Sequence, residues 1–262
     1  MAQFVNLNPG SLRELHIGNE RLVSYNVEMT EVTGGTFWKA YTPAQIAGTE
    51  PFVLKGGFLG NATASTDLMQ YYDPIDLSDK KLRKLAKEIG PAWVRVSGTW
   101  STKTYYDFDG HTNGVIPEGY NAILTREQWL GVLDFCKDIG AKLLISVADC
   151  EGLHHADEPW NPSQAEQIFA LSKEYGKAID AAEFVNEPNL LAMSGCPKGY
   201  TAEQYVRDQD IFIRWLHENY PDCPFVGPCS TEGVLKKHGE KAQGGGVGDI
   251  LPQCSTDDLM KG

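Results

Sequence analysis

AKLLISVAD, Ala141 to Asp149, is the most continuously apolar run in the chain, and what flanks it decides how it is used. Such a run, without alternating polar positions, suits a strand buried on both faces, as in a parallel sheet. Immediately upstream, Trp129, Val132, Leu133 and Cys136 recur at helical spacing within a segment from about Arg126 to Ile139, which Gly140 stops. Immediately downstream, Ile168, Leu171 and Tyr175 share one face of a helix over about Ser163 to Tyr175.

The same strand–helix alternation continues outward in both directions. AWVRVSG, Ala92 to Gly98, follows a helix from about Ser78 to Ile89, with Ser78 as its expected N-cap and Gly90-Pro91 as its stop. RLVSYNVEMTEV, Arg21 to Val32, is the first expected strand. Glycines and prolines make Gly34 to about Ala64 read as loop. Towards the C-terminus come the strand AAEFVNEP, Ala181 to Pro188, a helix from about Ala202 to Asn219, and the strand CPFVGP, Cys223 to Pro228.

Strand starts at Ala92, Ala141, Ala181 and Cys223 lie 40 to 49 residues apart, room for the helical crossovers that parallel strands require. A doubly wound sheet favours a phosphate-binding glycine loop after its first strand, and no strand here is followed by one. The expected fold is therefore α/β, a (β/α)8 barrel of the TIM type. Only about five strand–helix units can be counted of the eight that closure needs. Residues 1–262 accordingly read as the N-terminal portion of one barrel domain, completed by a C-terminal remainder or by the other half of a nicked pair.

Composition narrows the class. With 42% hydrophobic and 22% charged residues, the 262-residue chain has the balance of a soluble globular protein. Its formal charge of −12 and pI near 4.9 argue against non-specific nucleic-acid binding, which neutralises phosphates with Lys and Arg. The run Lys80, Lys81, Arg83, Lys84 reads as a solvated helix face. No apolar run approaches the roughly 20 residues of a membrane span. The opening MAQFVNLNPGSL does not resemble a signal peptide, leaving the compartment open, extracellular or periplasmic included. None of the six cysteines forms a C-x-x-C pair. An extended strand separates Cys223 from Cys229 by about 20 Å, beyond disulfide reach. Cys150 and Cys196 both follow strands at one end of the sheet, where they can meet.

Barrel enzymes carry their working residues at the C-terminal ends of strands. Carboxylates expected there are Glu28, Asp149, Glu151, Glu187 and Glu232. Glu187 stands out, because Asn186-Glu187-Pro188 closes an otherwise apolar strand. Glycosidic hydrolysis needs a protonated carboxyl beside the leaving oxygen and a second carboxyl across the sugar. An apolar strand end raises a carboxyl pKa, and a neighbouring amide can hydrogen-bond the sugar 2-OH.

With these residues in place, the chain resembles glycoside hydrolase family 79, the β-glucuronidases and heparanase-like enzymes. The resemblance lies in RLVSYNVEM, LRKLAKEIGPAWVRVSGTWSTKTYYDF, PEGYNAILTREQWLGVLDF, AKLLISVADCEG and AAEFVNEPN, in that order. It implies a retaining hydrolase of β-linked uronic-acid glycosides, with Asn186 as a substrate contact and Glu187 as the acid/base. The family's nucleophile is a glutamate ending strand seven, to which no residue here corresponds, and its small β-sandwich is also missing. The Gly98-Thr99 turn corresponds to one lining the family's pocket. The implied partner is a carbohydrate, with no cofactor and no metal.

Other positions are weaker. Glu28, ending the first strand, is a candidate sugar contact. Tyr105 and Tyr106 offer aromatic faces, though aromatics in such loops more often simply pack. Glu151, His154, His155, Asp157 and Glu158 read as a polar cleft rim rather than a metal site. Glu232, after the fifth strand, is the in-chain alternative nucleophile. Two rivals remain: another retaining barrel glycosidase, of xylosidase or arabinofuranosidase type, and an inactive glycan-binding fragment.

Overall fold

The computed structural model describes residues 18–50, 69–190, 194–230 and 256–260, together with Asn8, Gly10, Leu12 and Arg13. In chain order the elements are β1 (Val23–Glu28), α1 (Met29–Thr33), β2 (Gly35–Trp38), α2 (Pro43–Ile46), β3 (Met69–Tyr72), α3 (Lys80–Ile89), β4 (Ala92–Ser97) and β5 (Thr104–Asp107). There follow β6 (Ala122–Thr125), α4 (Arg126–Ile139), β7 (Lys142–Ser146), α5 (Ser163–Glu174), β8 (Ala181–Glu183), α6 (Ala202–Asn219) and α7 (Thr256–Leu259). The protein is α/β, and its main sheet is parallel with the order β1-β4-β7-β8.

Pleating sends alternate side chains to opposite faces of this sheet. Val94, Val96, Leu143, Ile145, Ala182 and Phe184 join one core with Trp129 and Leu133 of α4, Ile168 of α5, and Phe212 and Leu216 of α6. The opposite face carries Trp93, Leu144 and Ala181 towards the strand starts and turns polar towards the strand ends, where Asn26, Arg95, Ser97, Ser146 and Glu183 bond to one another across the strands.

The two helices read most sharply from sequence have sharp ends. Thr125 Oγ1 accepts the Gln128 N–H at 3.2 Å while Gln128 Oε1 accepts the Thr125 N–H at 2.9 Å, and Gly140 ends α4 in the left-handed conformation. Thr201 and Gln204 cap α6 in the same reciprocal way.

Elsewhere the structure departs from the sequence reading. The first strand ends at Glu28, and Met29–Thr33 coils into α1, its first turn closed by Glu31 Oε2 accepting the Glu28 N–H at 2.8 Å. Ser78 does not cap α3: its hydroxyl donates to Asp76 Oδ1 at 2.6 Å, and Asp79 accepts the Leu82 N–H at 2.7 Å instead. The stretch read as loop after Gly34 contains β2, which pairs antiparallel with β3, and the capped turn α2. Cys223 to Pro228 is not a regular strand but touches the sheet through two isolated parallel bridges, Ala182 with Phe225 and Asn186 with Cys229. Pro224 and Pro228 lack the N–H groups that a continuous ladder would need.

Cys136, Cys150, Cys196, Cys223 and Cys229 are free thiols, so the expected meeting of Cys150 with Cys196 makes no disulfide. Cys254 lies outside the described residues. Among the described residues no helix is long and apolar enough to cross a membrane.

Candidate functional site

The polar face of the sheet ends in a cluster built from three strands. Arg95, at the centre of β4, reaches Asn26 Oδ1 of β1 at 2.7 Å, Glu183 Oε1 of β8 at 2.5 Å and Asn186 Oδ1 at 2.8 Å. Glu183 is only 1% exposed, and the Arg95 guanidinium is the ion-pair partner that such burial calls for. Glu183 also accepts from the Ser97 hydroxyl and, at 2.7 Å, from the Cys229 thiol. Burial and the Glu183 charge push the Cys229 thiol up to about 12, so it stays protonated.

The strand expected over Ala181 to Pro188 ends at Glu183, so Glu187 lies in the segment after β8, half-buried, with its backbone at φ 52°. A glutamate in the left-handed region costs about 1–3 kcal/mol and persists only where its surroundings over-determine it. Three hydrogen bonds do so: its N–H donates to Cys229 O at 3.0 Å, and its carbonyl accepts from Leu190 N at 2.9 Å and from Ser194 Oγ at 2.5 Å. Burial raises the Glu187 carboxyl above its ordinary range, and the Arg95 guanidinium partly opposes the shift.

Glu28 ends β1 on the same side. Burial pushes its carboxyl up to about 6 against the opposing Asn26 bond and Arg95 charge, with Glu31 and Glu187 adding to the rise. Its Oε1 accepts from Asn26 at 3.2 Å, while its buried Oε2 has no hydrogen-bond partner among the described residues. The carboxyl lies directly on Gly98, where a Cβ would stand 1.5 Å from Oε2. Gly98 also has φ 98°, so both conformation and space demand glycine. Thr99 beside it is half-buried.

The structure thus brings Glu187, Asn186, Glu28 and Gly98 to one end of the sheet around Arg95. Sequence reasoning missed Arg95 and Glu183. The available signal was one charged residue of opposite sign inside each of two otherwise apolar strands, since each buried charge calls for a partner.

Other candidates separate from this cluster. His154 is not on a polar rim: it is buried, its Nε2 2.6 Å from Asp149 Oδ1 and its Nδ1 facing the carbonyls of His155 and Glu158. Asp149 is fully buried, and burial raises its carboxyl. His155 and Glu151 form an exposed pair at 2.8 Å. Tyr106 is buried in the core and stacks on Phe108, so it offers no face to a ligand. Tyr105 packs edge-on against Tyr120 and His111. Asp107, Asp109 and His111 have spacing compatible with a cation, but hydrogen bonds already occupy them: His111 Nδ1 meets Asp109 at 2.6 Å and Thr112 Oγ1 donates to Asp107 at 2.5 Å. Glu232 lies outside the described residues.

Compared with known proteins, the chain matches no protein-family model and no curated protein.

Proposed function

We propose that the chain carries the acid/base half of a retaining β-glycosidase site, with Glu187 as the proton donor. The observation that carries this reading is the conformation of Glu187, a glutamate held in left-handed backbone in the segment that follows β8, with its carboxyl kept above its ordinary pKa. A group so tuned holds the proton that the leaving oxygen must receive, then takes one from the incoming water. Asn186, its carbonyl oxygen fixed by Arg95, keeps its amide N–H groups for a sugar hydroxyl. Glu28, set on Gly98, is the second sugar contact.

The TIM-type barrel belongs to the same proposal. Sequential strand order supports it, because a doubly wound sheet reverses order at a switch point. So do the charged and hydroxyl groups at the C-terminal end of the second face, Arg95, Ser97, Ser146 and Glu183, since the second face of a doubly wound sheet is apolar and covered by helices. The nucleophilic carboxylate comes from a further strand of that barrel. The uronic-acid preference rests on the resemblance to glycoside hydrolase family 79.

The test is hydrolysis of an aryl β-glucuronide by the full-length protein. Glu187→Gln loses roughly 10²–10⁴-fold in turnover. Unchanged turnover in that variant overturns the assignment. Faster hydrolysis of aryl β-xyloside moves the substrate to the xylosidase type, and glycan affinity without any turnover moves the protein to the binding class.

A further inference from the structure

Beyond the strand-end cluster the surface opens into a cleft of about 650 Å³. Its lining includes Thr30, Thr36, Tyr71, Trp100, Glu118 and Asn121. Thr30 follows Glu28 by two residues and Trp100 follows Gly98 by two, so the cleft is lined by the chain segments that leave the contact between Glu28 and Gly98.

Both walls are fixed. On one side Thr36 of β2 stands opposite Tyr71 of β3, so both share one face of this two-stranded sheet, while Phe37 on its other face packs edge-on against Trp100, centroids 5.0 Å apart. On the other, a Cβ on Gly119 would stand 2.3 Å from the Gly152 N atom, so the 115–122 segment is seated directly on the loop after β7. Tyr120 seals that contact, its ring 2.4 Å from where a Gly152 Cβ would lie. A preformed cleft does not have to be ordered when a ligand arrives.

Its chemistry is specific. Tyr71 is 68% exposed and Trp100 half-buried, giving aromatic faces, while hydroxyl, amide and carboxylate groups supply a polar rim. That combination matches a pyranose ring, which has an apolar C–H face and an edge of hydroxyls. No Lys, Arg or His is among the described lining residues, and Glu118 is their one charged group. In a chain of net charge −12, a sulfate or carboxylate entering here meets Glu118 with no cation among the described lining residues.

We propose that this cleft is a second sugar subsite that takes an uncharged pyranose of a longer glycan, continuing from the ring held at Glu187. The proposal rests on the glycosidase reading for its context, but its test is binding and needs no turnover. Isothermal titration of the full-length protein with cellotetraose, a neutral β-linked probe, is compared with titration by a sulfated heparin tetrasaccharide. The neutral probe binds more tightly, and Trp100→Ala weakens it roughly five- to tenfold, the value of one lost aromatic stack. Tyr71→Ala, at an exposed position, weakens it in the same direction. Glu118→Lys narrows or reverses the preference over the sulfated probe. Tighter binding of the sulfated probe by the parent protein overturns the proposal. So does absence of neutral binding, or neutral binding indifferent to both aromatic variants. Neutral binding that depends on Trp100, in a protein that hydrolyses no aryl glycoside, overturns the glycosidase reading and leaves the subsite standing.

Discussion

Replacing Gly98 with alanine perturbs the candidate site at its tightest point, and the effect divides into two parts. The backbone part comes from φ 98°, which an L-residue adopts at a cost of about 1–3 kcal/mol. The steric part comes from the new methyl, which would lie 1.5 Å from Glu28 Oε2 and 2.4 Å from its Cδ, where carbon contacts settle at about 3.5–4.0 Å. Forcing that carboxyl or the strand aside costs about 1–3 kcal/mol more. The sum, about 2–6 kcal/mol, is a large share of the roughly 5–15 kcal/mol that stabilises a typical domain. Urea denaturation followed by circular dichroism measures it as a lower midpoint at unchanged slope. The double variant Glu28→Ala/Gly98→Ala removes the clashing carboxyl and recovers the steric part, leaving only the backbone part. A Gly98→Ala protein within about 0.5 kcal/mol of the parent refutes the reasoning, as does a double variant no more stable than the sum of the single losses.

Arg95→Met strands the buried Glu183 carboxylate and costs about 3–5 kcal/mol in the same urea assay, whereas adding Glu183→Met recovers most of the loss. The His154–Asp149 pair makes stability depend on pH. Burial alone would lower His154, but the bond and charge of Asp149 hold it above the ordinary 6.5. With its folded pKa raised above 6.5, His154 contributes fully below 6.5, and the contribution is lost as pH rises from there through the higher folded pKa. The urea midpoint therefore falls between pH 6 and pH 9, and His154→Phe flattens that part of the profile.

The helices were legible because their signals are local. Thr125 and Gln128, or Thr201 and Gln204, specify a helix start within four residues, and one face of apolar spacing fixes the rest. Strand ends were less legible. Met29 and Val32 prolong the apolar pattern of β1, and nothing before the Glu28–Glu31 bond distinguishes a strand that continues from a turn of helix. β5 and β6 escaped notice because they pair parallel across Asp107 to Ala122 without a helix between them. Within the site, Glu187 was legible from the apolar run before it and from its neighbour Asn186, although the strand expected to reach Pro188 ends at Glu183. Arg95 was not, because pattern alone gives no register between strands. Only the ladder shows that Arg95 faces Asn26 on one side and reaches Glu183 on the other.

The backbone at position 187 has one further implication. Glycine, and to a lesser degree asparagine, would occupy that bend with less strain than glutamate does. Exchanging either into the site should make a sturdier molecule with no proton to give, so at this taut joint firmness and chemistry pull in opposite directions.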